Sequence, residues 1–167
     1  QGGNEAINGA SSIDLKLTLN HPIKELIWIF QTTAAESNLQ HFNFTNYVST
    51  QSSRGIYNSL GKNCIESSKL LLNGHDRFES RKGSYFNLVQ PYQHHSSIPK
   101  SPGINVYSFA INPEDIQPSG SCNFSRIDNA DLNIEFNGSL TGNIRLYALS
   151  YNILRIMGGM GGLAYSN

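Results

Sequence analysis

Charge is the first thing this sequence has little of. Only 14% of its 167 residues are charged and the formal net charge is zero. A nucleic-acid groove or a surface for anionic lipid needs an excess of Lys and Arg, so no direct contact with nucleic acid is expected. Long apolar runs are also missing. No stretch of about 18 residues reads as a transmembrane helix, and no charged segment followed by an apolar one marks a signal peptide, so no membrane insertion is expected. Cysteine is limited to Cys64 and Cys122, far apart and without C-x-x-C spacing. They read as two free thiols in a reducing compartment.

The motifs of catalysis are absent as well. His94-His95 is the one histidine pair; neighbours on a strand face opposite sides, and neither an H-E-x-x-H nor an H-x-H occurs to gather a metal. There is no G-x-S-x-G elbow for a serine nucleophile. Gly158 to Gly162 lacks both the order of a dinucleotide fingerprint and the Lys-Ser/Thr of a phosphate loop. Glu114-Asp115 follows Pro113 and reads as a solvated turn. Trp28 lies inside an apolar run and reads as core rather than as a platform for a sugar ring. Asn43, Asn123 and Asn137 each begin an N-x-Ser/Thr sequon, read as unused without a secretory signal. The chain is therefore expected to hold no catalytic residue, no cofactor and no metal, and not to be an enzyme.

What is present is strand periodicity. Ile13, Leu15, Leu17 and Leu19 alternate with Asp14, Lys16, Thr18 and Asn20, the pattern of a half-buried strand. Asn20-His21-Pro22 turns the chain, and Ile23 to Gln31 carries apolar residues on both faces, as a strand inside a covered sheet does. Cys64 to Leu72 predicts a strand closed by the turn Asn73-Gly74. Ser84 to His95 predicts a short helix ended by Pro91, and Ile104 to Ile111 another central strand. Cys122 to Ile127 predicts a short strand, and Leu132, Ile134 and Phe136 a strand closed by a hairpin at Asn137-Gly138. Ile144 to Met157 runs without a breaker, far longer than the usual five or six residues of a strand, so its ends are expected to be covered by another domain or subunit. Residues 1–12 are small, polar and glycine-rich, and read as a linker or arm from a preceding domain. With no initiator Met before Gln1, the chain reads as a processed product or a segment. Residues 13–167 then form one all-β domain, an antiparallel eight-stranded jelly-roll sandwich with a short helix in a loop.

The residues also resemble a known family, the major capsid proteins of nucleocytoplasmic large DNA viruses. The resemblance is to the C-terminal jelly roll of these double-jelly-roll proteins. It runs through Asn20-His21-Pro22 with Lys24-Glu25-Leu26-Ile27-Trp28, Leu72-Asn73-Gly74 with Asp76-Arg77-Phe78, and Tyr85-Phe86-Asn87 with Gln90-Pro91-Tyr92. It continues in Tyr107-Ser108-Phe109-Ala110, in the string from Gln117 to Asp128, and in Leu154 to Met157 through Leu163-Ala164-Tyr165. The resemblance implies a structural protein of the virion's capsid shell, assembled in the host cytoplasm. It implies two jelly rolls per chain and a homotrimer formed through the full-length protein. That pseudo-hexagonal capsomer would tile an icosahedral shell beside neighbouring capsomers and minor capsid proteins. The N-terminal jelly roll is absent from this sequence. A jelly-roll carbohydrate-binding module is the other reading.

Three sets of residues are singled out as structural or interface candidates. Phe42, Phe44 and Tyr47, with Tyr57, lie on the long stretch 32–63, which is either a partner contact or a cover over its own sandwich. Arg126 and Asp128 are expected to tie down backbone, or each other, in the Gln117 to Asp128 buttress. Leu163 and Tyr165 are expected to hold the glycine-rich tail against its neighbours.

Overall fold

The computed structural model describes residues 2–48 and 61–165, so Tyr57 lies outside the described residues. The strands are β1 (Gly2–Lys16), β2 (Pro22–Thr32), β3 (Ile65–Leu72), β4 (His75–Lys82), β5 (Ile104–Ser108), β6 (Cys122–Asn123), β7 (Ala130–Ser150), β8 (Leu154–Met157) and β9 (Met160–Leu163). Between them lie helix α1 (Thr33–Ser37), a π-helical turn (Tyr85–Val89) leading into α2 (Gln90–His94), and a 3₁₀ turn (Phe124–Arg126).

The organising element is β7. Its first half pairs with β3, Ile65 opposite Phe136 through Leu72 opposite Ala130. Its second half pairs with β2, Ile23 opposite Ser150 through Thr32 opposite Gly142. Along its other edge runs β1, Lys16 opposite Asp131 through Gly2 opposite Tyr147. The order is β4-β3-β7-β2-β5, antiparallel throughout. The sheet curls until its ends meet, because Phe78 of β4 lies 4.7 Å from Tyr107 of β5. This is the expected all-β jelly roll. Eight strands is only an approximate count, since β1 and β7 each serve both halves of the roll and β8–β9 stand apart as a two-stranded ribbon.

A file of rings fills the space inside the curl. Trp28 meets Phe86 at 5.1 Å, Phe86 meets Phe78 at 5.4 Å, and beyond Tyr107 the contacts continue through Phe109 to Phe124. Trp28 is 0% exposed, as its apolar run predicts. Tilted and edge-on ring pairs at such distances add to the burial energy.

Several expectations change. Residues 1–12 are not a loose arm: most of them belong to β1, where Gly9 is held by Ser139 Oγ donating to its carbonyl (2.5 Å) and by its own N–H donating to Thr141 Oγ1 (3.1 Å). Asn137-Gly138 makes no hairpin. Chain 136–139 forms a bulge in β7, opposite the register shift between Ala10 and Ser12, while the Asn137 N–H and side-chain amide donate to the Cys64 and Asn63 carbonyls. With β1 already paired beyond the bulge, β7 continues instead of folding back. Nor is Ile144 to Met157 one strand. Asn152 breaks it, its Oδ1 accepting from the N–H groups of Ile153 (2.8 Å) and Tyr165 (3.2 Å), a side chain competing with the ladder. Pro91 does not end the helix but sits in the first turn of α2, where its missing N–H is tolerated.

β5 differs too, standing at the end of the sheet order rather than in its middle. Its outward edge is capped by amide side chains from the helical segment. Asn87 Nδ2 donates to the Ile104 carbonyl (3.0 Å), and Gln90 Oε1 accepts from the Ser108 N–H (3.0 Å). An edge strand whose groups are taken in this way offers no template to another strand.

The Asn73-Gly74 turn forms as predicted, both residues at positive φ (52° and 77°). Asn73 Oδ1 accepts from the Asp128 N–H (2.9 Å) and the Asn129 N–H (3.2 Å). It thus holds down the end of the Gln117 to Asp128 string, the task expected of Arg126. Asn73→Ala should cost about 1–2 kcal/mol through two lost hydrogen bonds and a strained φ, whereas Arg126→Ala should stay within about 0.5 kcal/mol. Urea unfolding of the two variants checks the ranking.

Candidate interaction surfaces

The first surface is the loop after β2. Thr32 Oγ1 caps α1 by accepting from the Ala35 N–H (3.2 Å). Arg145 of β7 then clamps it, donating to Gln31 Oε1 and to Glu36 Oε1, both at 2.7 Å, while Asn143 donates to Glu36 Oε2 (3.0 Å). Gln31 also donates to the carbonyls of Gln40 (3.0 Å) and His41 (3.1 Å). Asn43 is buried and organises the tip, its amide donating to the Tyr47 carbonyl (2.7 Å) and its Oδ1 accepting from Thr45 Oγ1 (2.7 Å). Gly103, at φ 101°, lies against the Phe44 backbone, where any Cβ would collide with the Phe44 carbonyl.

On this fixed frame Phe42 is 76% exposed, with Leu39 also exposed. Phe44 is half-buried and Tyr47 partly exposed. Phe44 is thus partly covered, while Phe42 and Leu39 face outward. Leu39, held at φ 57°, was not foreseen, and its flanking Asn38 and Gln40 give no apolar pattern that would have marked it.

The second surface is the β8–β9 ribbon, Leu154 opposite Leu163 and Met157 opposite Met160. Tyr165 anchors it, its ring 5.6 Å from that of His21, with Asn152 Nδ2 donating to its carbonyl (3.0 Å). Leu163 is exposed rather than packed, as are Leu154 and Met157, while Ile156 is 70% and Met160 77% exposed. A two-stranded ribbon has no second layer to bury such side chains against.

The Gln117 to Asp128 string buttresses the core through a residue that had not been singled out. Phe124 is buried against Phe109, its N–H donating to the His21 carbonyl (3.2 Å), and Asn123 Oδ1 caps the 3₁₀ turn by accepting from Ser125. Arg126 and Asp128 are both exposed and form no ion pair with each other.

Several polar and ionisable groups are buried. Cys64 is a free thiol pushed up to about 12 by burial, and Cys122, also free, is raised for the same reason. Thiols held protonated in this way are poor nucleophiles. Glu25 is buried beside His95, and its desolvation raises its pKa against the opposing pull of His95 and Lys24. Among the described residues no three His, Cys, Asp or Glu side chains converge to hold a metal ion.

The described residues thus form a rolled β-domain whose loop after β2 and terminal ribbon present apolar side chains outward. The sequence model of the large eukaryotic DNA virus major capsid protein matches residues 4–162. The chain belongs to that family. It is 40% identical to the major capsid protein of Phaeocystis pouchetii virus over 99% of this chain and 47% of that protein. It is 39% identical to that of Paramecium bursaria Chlorella virus 1 over 94% of this chain and 44% of that one. A quasi-atomic structure of the PBCV-1 virus capsid superposes with TM-score 0.83 at 34% identity, covering 100% of this chain and 50% of the other. The Faustovirus major capsid protein, at 12% identity and TM-score 0.64, shares the fold over 90% of this chain and 32% of its own. The chain thus spans about half the length of the curated relatives it matches.

Proposed function

We propose that this chain is the C-terminal jelly roll of a double-jelly-roll major capsid protein, three copies of which form a pseudo-hexagonal capsomer of an icosahedral shell. The observation that carries this reading is the pair of outward apolar surfaces, Leu39 with Phe42 and the β8–β9 ribbon, on a domain whose core is otherwise closed. Exposed apolar side chains gathered on one element mark contact sites more often than scattered ones do. The protein acts by contact, without catalysis. β1 carries the connection from a preceding domain at 1–12, and the two protonated free cysteines suit assembly in the reducing host cytoplasm. Neighbouring capsomers and minor capsid proteins are the further partners. The carbohydrate-binding alternative rests on the aromatics of the stretch 32–63, and the capsid relatives lend it no support.

Around a threefold axis one surface of each subunit meets a different surface of the next. Sedimentation of the full-length protein should therefore show trimers. The double change Leu39→Ser, Phe42→Ser should leave the fold intact and weaken trimerisation by about tenfold or more, the usual loss for a truncated anchor. Unchanged trimers would place the loop outside the capsomer interface.

A further inference from the structure

We propose that Glu25, His95 and Glu114 form a proton-held latch that pins the exposed turn 112–118 to the end of α2 and to β2, and that opens as pH rises. His95 follows α2 with both ring nitrogens against carboxylates: Nε2 lies 3.0 Å from Glu25 Oε2 and Nδ1 lies 3.2 Å from Glu114 Oε1. Glu114 in turn accepts from the Ser96 N–H (3.1 Å) and Ser96 Oγ (3.3 Å). A second tie runs alongside, with His94 Nδ1 2.8 Å from the Ile111 carbonyl. These contacts join three parts of the chain that share no sheet ladder with the turn.

Proton counting gives the latch its pH dependence. A neutral imidazole has one N–H, and two ionised carboxylates facing its two nitrogens need two. Glu25 Oε2 and His95 Nε2 are buried, and neither has a hydrogen-bond partner elsewhere. Closing the chain therefore requires one further proton on the Glu25–His95 pair, carried either by the ring or by the Glu25 carboxyl. Without it one ring nitrogen presents a lone pair to a carboxylate oxygen, which is repulsive, most of all at the buried Nε2–Glu25 contact. Among the surrounding charges Lys24 opposes a proton on Glu25 and Glu114 favours it. Lys24 of β2 points its ammonium over the Tyr151 ring, 5.2 Å from the centroid, and Asp115 of the turn accepts from Asn112 (3.3 Å). Ser108, opposite Glu25 on β5, spends its hydroxyl on the Ala110 carbonyl (2.7 Å).

The two carboxyls act in opposite senses. Burial raises Glu25, so the folded state holds its proton more readily than the unfolded chain does. That contribution is full below the ordinary glutamate range and is lost as pH rises through the raised value. The Ser96 hydroxyl and N–H lower Glu114, whose contribution is present above the ordinary range and is lost as pH falls through the lowered value. The latch is closed between these limits and releases on the alkaline side when the shared proton leaves.

Hydrogen–deuterium exchange on the full-length protein, read by mass spectrometry, tests this. After correction for intrinsic base catalysis, protection in peptides covering 95–98 and 111–116 should fall by roughly an order of magnitude once pH has risen through the raised Glu25 value. Peptides from β2 should hold constant. Glu25→Gln supplies an amide donor to the ring at every pH and should flatten the profile, as should His95→Gln, which removes the imidazole and serves if the first variant does not fold. A flat profile in the unmodified protein overturns the latch, and so does a fall that persists in either folded variant.

Discussion

Trp28→Ala is expected to lower the stability of this domain by about 3–5 kcal/mol, the range for removing a fully buried large aromatic. The indole lies between the two halves of the roll, and its contact with Phe86 begins the file of rings that reaches Phe124. Truncation leaves a cavity that cannot collapse, because Phe86 is held both by the π-helical turn and by Phe78 on β4. Phe78 is the one residue of β4 that is not exposed. The lost packing should therefore loosen β4 and β5, whose closure rests on Phe78 and Tyr107. Chemical unfolding gives the size of the effect, and near-ultraviolet circular dichroism reports the loosening. A loss under about 1 kcal/mol would show that the rings are not acting as one packed unit.

The second large effect concerns assembly. Changing Ile156, Met157 and Met160 together to Ser should leave the unfolding midpoint nearly unchanged, since none of the three is buried. In the full-length protein the same changes should weaken subunit or capsomer association by two to three orders of magnitude, roughly 1–1.4 kcal/mol for each anchor removed. Light scattering or electron microscopy of assembling protein measures it. If shells form as before, the ribbon is a solvent-facing flap and the contacts lie on the loop alone.

Much of the roll was legible before any coordinates. The alternation from Ile13 to Leu19 and the two-faced run from Ile23 to Gln31 predict a half-buried strand turning into a covered one, and Asn73-Gly74 predicts its turn. The first part of β1 was hidden for a physical reason. Within residues 3–9 only Ile7 is buried, so no period-2 signal exists there, and the strand is held by backbone bonds to β7 and by Ser139 and Thr141. Asn137-Gly138 carries the chemistry of a hairpin, yet the partner already in place on β1 decides the outcome. Which aromatic of the long loop faces outward depends on Arg145 holding Gln31 and on Gln31 and Asn43 both bonding to Gln40, which composition does not encode. Glu25, His95 and Glu114 are 70 and 19 positions apart, and no local pattern links them. The apolar ribbon was quoted from the sequence, but its exposure follows from Asn152 breaking the strand before it.

The shared β1–β7 ladder sets a timetable for the nascent chain. Gly2 finds its partner only at Tyr147, so at about 5–20 residues per second of synthesis the first strand waits on the order of ten seconds for the strand that covers it. Neither β2 nor β3 can complete its pairing earlier, because both depend on β7 as well. Contacts this distant in sequence close slowly. Until they do, the chain carries unpaired strand edges at high local concentration on a polysome, where its neighbours carry the same edges. The burden of avoiding mispairing falls on the Gly-, Asn- and Ser-rich character of residues 2–12, whose low apolar content makes them a poor nucleus for aggregation.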